Sequence, residues 1–435
     1  MIRRALLLLI TVGLVACPHQ ATDDAPPAEP PEVLSEPESP LPPTPEEPVE
    51  PPEPADPCHA LQDTADEDSL LPHFVDFLEE QVPDFRGSEP HRLQILISEI
   101  TTDPDCRVIH AHRVDEEYIY PASALKTTAS IGALHHLAAS EEPQWTLDTP
   151  LLVGDHSPRS LREYIELTQV ISSNPGFNAL FEITGFDEIH ELFWDHGFTS
   201  LRIRHRMFSR LPLEAERYTP TIGVADPGDP QADPEAEPAL LFDERRGQVD
   251  LPPHSTPNTE VGASHIDIWT RELRDEPLDF DLRNGFSLSD HHELMVALFA
   301  PDHTERTLPS MGPHEDFLRH TLEMDPVAYV EEHALNIGDH IERRFRPLMP
   351  GLLQHLDRAD LRYLGKGGRA YGFHMENALL IHEPLGRTLF VTAVIYVNEN
   401  EVLNDNHYEY DQVGFPFFEA LGGFLGRELL DGAGE

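Results

Sequence analysis

The chain has 435 residues, with 79 acidic against 30 basic side chains and a formal net charge of −49. Phosphate contacts need clustered lysine and arginine, so this balance argues against a nucleic-acid partner. The acidity runs beyond the N-terminal region into the part long enough to fold, which predicts a protein suited to salty surroundings, where screening relieves self-repulsion.

Arg3 and Arg4 precede an apolar run over 5–15, the length of a signal peptide and too short to span a bilayer. The run ends in Leu14-Val15-Ala16-Cys17, which resembles a bacterial lipoprotein processing box. Residues 1–17 are therefore read as a lipoprotein signal, with Cys17 as the lipidated N-terminus anchoring the protein to a membrane. Pro18 follows, not the aspartate of an inner-membrane retention signal, so an exported, outer-membrane lipoprotein facing the periplasm is expected. Residues 18–57 are proline, acid and alanine with too little apolar surface to fold, predicting a disordered, semi-rigid spacer. With Cys17 lipidated, Cys58 and Cys106 remain, and an exported protein can pair them.

From residue 58 onward the chain is long enough for a large core. A helix is predicted over 71–82. Leu93, Ile95 and Ile97 alternate with polar residues, predicting a strand over 92–100, and a second follows over 108–112. Tyr120-Pro121-Ala122-Ser123 opens a helix running to about residue 139, apolar on most faces and therefore buried. Further helices fit 160–172, 177–184, 186–193, 263–272, 291–299, 315–323 and 327–333. Between them, the Pro- and acid-rich stretch 226–257 reads as a long surface loop. Strands return over 378–382 and 388–397 around the turn Glu383-Pro384-Leu385-Gly386, and a helix over 417–430 closes the chain. Strands at both ends with helices between them give an α/β (α+β) fold: an antiparallel sheet formed from both chain ends, flanking helices, and an inserted all-helical subdomain.

The chemistry is concentrated at lysine. Only Lys126 and Lys366 occur; the other 28 strong bases are arginine. Arginine keeps its proton in a protein, whereas a desolvated lysine can be tuned into a base. Ser123 stands three residues before Lys126, on the same helical face, so hydroxyl and amine can meet. A serine needs such a base to become a nucleophile. Ser172-Ser173-Asn174 lies in a turn between two predicted helices, and Lys366-Gly367-Gly368 precedes the C-terminal hairpin. Histidines are numerous, but His190-Glu191 and His314-Glu315 lack a second histidine at zinc-binding spacing, and no metal site is expected.

In order and spacing these three motifs resemble the S-x-x-K, S-D-N and K-T-G signatures of the penicillin-recognising serine hydrolases, most closely the class A β-lactamase-like branch. Asn178 and Leu180 match the helix that follows the second signature, and the layout of strands and helices over about 59–430 matches as well. The resemblance implies that Ser123 is the acylated nucleophile, Lys126 its base or proton relay, and Ser172 the proton donor to the leaving nitrogen. Asn174 would hold Lys126 and the substrate amide, and Lys366 a substrate carboxylate. Backbone N–H groups of Ser123 and Arg369, beside Gly368, would form the oxyanion hole. It implies no metal or cofactor, and a small-molecule β-lactam or a peptidoglycan peptide as substrate. Within the family the alternative is a D-Ala-D-Ala peptidase; outside catalysis it is a binding lipoprotein that keeps the fold.

Three departures carry consequences. Ser173 replaces the aspartate of S-D-N. Gly367 replaces the threonine of K-T-G and with it a hydroxyl offered to a substrate carboxylate. The E-x-x-L-N stretch that supplies the deacylating glutamate in class A enzymes is missing from 199–257. Its pattern recurs only at Glu332-His333-Ala334-Leu335-Asn336, too late in the chain, and Glu214 and Glu216 are the remaining candidates.

Overall fold

Leu71, Phe74 and Leu78 repeat at helical spacing, and in the computed structural model the first helix, α1 (Leu70–Gln81), turns all three inward. The structure describes residues 70–102, 105–143, 145–224 and 239–430, all within one unit spanning Pro54–Glu435. Cys17, the spacer 18–57 and Cys58 lie outside the described residues. Cys106 is buried and disulfide-bonded.

The chain continues through β1 (Gln94–Thr102) and β2 (Asp105–His112), a hairpin with Ile97 opposite His110. The inserted part holds α2 (Lys126–Ala139), β3 (Pro150–Val153), β4 (Arg159–Ser160), α3 (Leu161–Val170), α4 (Asn174–Thr184) and α5 (Phe186–Asp195). After these come β5 (Ile222–Val224), β6 (Ala239–Phe242), α6 (Leu288–Phe299), α7 (Glu315–Glu323) and α8 (Pro326–Glu332). The chain then returns through β7 (Leu361–Gly365), β8 (Gly368–Ala370), β9 (Phe373–His382) and β10 (Arg387–Tyr396) to α9 (Phe415–Leu425).

The main sheet runs β7-β9-β10-β1-β2, every pair antiparallel, with β8 paired to β9. Both chain ends therefore meet in it, as the sequence predicts. Strand alternation sends Ile95, Ile97, Val391 and Ile395 to one face, where they pack with Phe74, Leu78, Phe417 and Leu421 of α1 and α9. Phe390 and Leu379 point to the other face, into a core with Ile131, Phe177, Phe181 and Leu294 of the inserted part. The sheet is thus sandwiched between a terminal helical layer and the insert.

The insert is helical, with short strands added. β3, β4, β5 and β6 form a small sheet in the order β4-β3-β5-β6. These strands are two to four residues long and come from distant parts of the chain, too short for periodicity to mark them. The expected surface loop over 226–257 is corrected accordingly: β6 belongs to this sheet and Arg245 is half-buried, while 225–238 lie outside the described residues. The helix expected over 263–272 is also absent. Ser264–Ile266 pairs antiparallel with Leu273–Arg274, and Asp267 closes the turn by accepting from the N–H groups of Trp269 and Thr270. Local aspartate bonding of this kind favours a turn over a helix.

Candidate active site

Helix α2 begins at Lys126, one turn later than the sequence suggests. Ser123 stands in the preceding turn, where Ala124 N donates to Pro121 O (2.9 Å) and Lys126 N to Ser123 O (3.2 Å). Ala122, just before it, takes a left-handed φ of 47°. This aims the half-buried Ser123 at a cavity of about 800 Å³ rather than into the helix surface. No carbonyl of the described residues accepts from the Ser123 N–H.

The Ser172 turn forms the opposite wall. Helix α3 ends at Val170, and Ser173 caps α4 by accepting from Gly176 N at 3.1 Å, with Pro175 in the first helical turn. A short polar cap suffices for this, so serine serves where the related pattern has aspartate. Ser172 is held at φ 59°, a costly conformation for a residue with a side chain. Ala122, Ser172, Phe208 and Tyr371 are all non-glycine residues with left-handed backbone, and all four line the cavity. Strain of this kind concentrates at functional sites. Asn178 secures the wall from behind, bonding Met207 N (2.8 Å) and Met207 O (3.1 Å).

Both lysines converge on the hydroxyl of Ser172. Lys126 Nζ lies 3.2 Å from Ser172 Oγ, and Lys366 Nζ donates to the same oxygen at 3.1 Å. Lys126 also donates to Ser172 O at 2.5 Å and to Asn174 Oδ1 at 2.6 Å; Lys366 donates to Gly367 O at 2.7 Å. Lys126 is fully buried, and desolvation, with the nearby Lys366 charge second, holds its pKa well below the ordinary lysine value. Desolvation likewise lowers Lys366, to about 8, against the opposing pull of Glu376.

β8 brings the remaining groups. A side chain at Gly368 would sit 2.8 Å from Ala124 N and closer still to Ser123 N, so only glycine lets this strand lie against the Ser123 turn. Arg369 follows, its guanidinium 4.5 Å from the Phe415 ring centroid. Sequence reasoning missed Glu376, on β9 opposite this corner. It is 1% exposed, lines the cavity, and leaves Oε1 without a hydrogen-bond partner. Burial pushes its carboxyl up to about 8 despite Lys366. The strand predicted over 378–382 begins after it, so no pattern marked it.

The candidates for a deacylating glutamate are elsewhere. Glu216 is fully buried, paired with Arg206 at 2.9 Å, and Glu214 pairs with Arg246 on the surface; neither lines the cavity. Glu332 ends α8, exposed and outside the cavity. His190 bonds Phe186 O (2.6 Å) and Ile203 N (2.8 Å), a core histidine. Among the described residues no His, Cys, Asp or Glu cluster could hold a metal.

No protein-family model matches the sequence, and no curated protein is similar to it. Solved structures similar in fold are beta-lactamases. One from Desulfarculus baarsii is 13% identical, covering 82% of this chain and 97% of its own, with a TM-score of 0.45. One from Sphaerobacter thermophilus is 15% identical over 81% and 96%, with a TM-score of 0.43. L2 complexed with relebactam is 13% identical over 78% and 91%, with a TM-score of 0.44.

Proposed function

We propose that this chain is a β-lactamase-like serine hydrolase that cleaves an amide through an acyl-enzyme on Ser123. The observation that supports this reading best is the convergence of the chain's only two lysines on Ser172 Oγ, at 3.2 and 3.1 Å, beside Ser123 in one cavity.

Lys126 serves as the base. Its amine is buried where the charged form is disfavoured. The Ser172 and Asn174 oxygens that accept from it are a carbonyl and an amide oxygen, which cannot donate back. A neutral amine satisfies both with its two N–H groups and keeps its lone pair for a serine hydroxyl. Ser123 Oγ, deprotonated through it, attacks the substrate carbonyl and forms the acyl bond. The oxyanion that develops is met by the N–H groups of Ser123 and Arg369, brought together because Gly368 has no side chain. The proton passes from Lys126 to Ser172 Oγ and on to the departing nitrogen. Lys366 holds Ser172 and presents positive charge to the substrate.

Hydrolysis of the acyl-enzyme is the weaker half-reaction. Among the described residues Glu376 is the one carboxylate lining the cavity, and it is buried behind Gly367. This favours a long-lived acyl-enzyme, as in a D-Ala-D-Ala peptidase, over rapid β-lactam turnover. The proposed setting is outside the inner membrane, with the domain held through Cys17 and the acidic spacer.

Lys126→Arg tests the reading. Arginine keeps charge but cannot act as base. Loss of acylation by about 10²–10⁴-fold is expected, the usual contribution of a general base. Undiminished acylation in a folded Lys126→Arg protein would remove Lys126 as the base, and a parent that binds β-lactam without acylating would favour a binding lipoprotein instead.

A further inference from the structure

The cavity inverts the charge of the protein around it. The chain has 79 acids to 30 bases, yet among the described residues the cavity wall carries Lys366 and six arginines against the single carboxylate of Glu376. The six are Arg210, Arg271, Arg283, Arg344, Arg346 and Arg369. They come from separate loops and strands, so no one segment accounts for the bias.

Among the described residues five of these six also lack an acid partner; Arg346 pairs with Asp325 at 3.7 Å. Elsewhere most arginines pair with acids, as Arg107 does with Glu293 (2.6 Å), Arg206 with Glu182 (2.6 Å) and Arg362 with Glu323 (2.6 Å), while Arg202, Arg204 and Arg217 bond only backbone carbonyls. Among the described residues, Arg210, Arg271, Arg283 and Arg369 make no ion pair, and Arg344 donates only to the Ile337 carbonyl. Three of them are held over rings that line or border the cavity, Arg344 lying 5.3 Å from the Phe345 centroid. Arg369 lies 4.5 Å from the Phe415 centroid and 5.9 Å from that of Tyr410, with the like charges of Arg343 and Arg344 nearby. Arg283 lies 5.9 Å from the centroid of Tyr371, whose ring meets Tyr120 edge-on at 5.0 Å. Stacking of this kind fixes the plane of a guanidinium and leaves its edge for a planar oxyanion. Like charges gathered with so few counter-ions, Asp411 near Arg369 being one, are unfavourable unless an anion completes them.

We propose that the compound bound over Ser123 carries at least two anionic oxygen groups, carboxylate or phosphate, one received by Arg369 with Arg344 and the other by Arg283. This deepens the reading of the cavity as a hydrolase site by naming its substrate class. A singly charged amide leaves most of the cationic wall uncompensated, whereas a dianion uses Arg369 and Arg283 at once.

The test uses the full chain carrying Ser123→Ala, so that binding is measured with no acylation. Calorimetric titration with acetate, glutarate and pyrophosphate compares one charged group with two. Glutarate or pyrophosphate is expected to bind about tenfold or more tightly than acetate, the worth of one added charge-assisted hydrogen bond. The tighter of the two identifies carboxylate or phosphate as the source. Arg369→Gln and Arg283→Gln should each abolish that advantage while thermal melting stays near that of the parent. Dianions binding no better than acetate to the parent would overturn the proposal, with no variant needed. So would a dianion advantage that survives both substitutions. Either failure leaves the Ser123 nucleophile standing, because that is read from acylation instead.

Discussion

Glu376 and Gly367 share one space between neighbouring strands. A Cβ on Gly367 would lie 2.6 Å from Met375 O and inside contact distance of Glu376 Oε2. The missing hydroxyl of the lysine–glycine–glycine motif is therefore no isolated loss. The carboxyl of Glu376 stands where a side chain at 367 would have to go, beside Lys366. Gly367→Ala is expected to destabilise by about 1–3 kcal/mol, the usual cost of overpacking. In a Glu376→Ala background the same change should cost less, since one of the two obstacles is gone. Urea unfolding of the four proteins measures this coupling, and strictly additive losses would contradict it.

Glu376 also sets a pH dependence. Its folded-state carboxyl, raised to about 8 from an ordinary 4.5, holds a proton that the unfolded chain releases earlier. That contribution to stability is present below about 4.5 and is lost as pH rises through about 8. Lys366, lowered to about 8, works in the opposite sense: its neutral form is favoured by folding, so stability rises with pH from about 8 towards 10.5. Because the two groups interact, they titrate as a pair. Glu376→Gln should flatten the fall in stability between about pH 4.5 and 8. Removing the carboxylate should also lower the Lys366 pKa further, moving the alkaline limb of the acylation rate to lower pH. Denaturant unfolding and acylation rates across this range check both, and unchanged profiles would count against the pairing.

Glu216 is assigned to structure. It is fully buried and held to Arg206, which also reaches Glu182. Glu216→Gln breaks a buried pair and should cost about 3–5 kcal/mol of stability. The lifetime of the acyl-enzyme in the surviving folded protein should be unchanged. A lifetime lengthened by orders of magnitude would make Glu216 the deacylating base after all.

Gly368 is assigned to the oxyanion hole. Gly368→Ala would press on the Ser123 and Ala124 amides, so acylation should fall more steeply than stability. Unfolding curves beside acylation rates separate the two, and equal losses would reduce Gly368 to a packing residue.

The parts of this molecule legible in its sequence are those with local patterns. Ile95 and Ile97 alternate on β1, and the Glu383–Gly386 turn joins β9 to β10, so the sheet built from both chain ends could be read directly. Ser123, Lys126, Ser172, Asn174 and Lys366 were visible because lysine is scarce and the spacing is short. What escaped depends on contacts between distant residues. β3, β5 and β6 are too short to carry a period and exist through pairing. A helix is predicted over 263–272, but the Asp267 side chain favours a turn there. Glu376 and the cavity arginines are ordinary surface types in sequence. Only the fold gathers Arg283, Arg344 and Arg369 around one space.

The central claim is the acyl-enzyme on Ser123, and intact-mass spectrometry with excess penicillin tests it most directly. The account predicts a single adduct of the full penicillin mass, since ring opening expels no atoms. It should be absent from Ser123→Ala and persist in the parent, because among the described residues no carboxylate but the buried Glu376 lines the cavity. No adduct in the parent, or one that survives in Ser123→Ala, would contradict it.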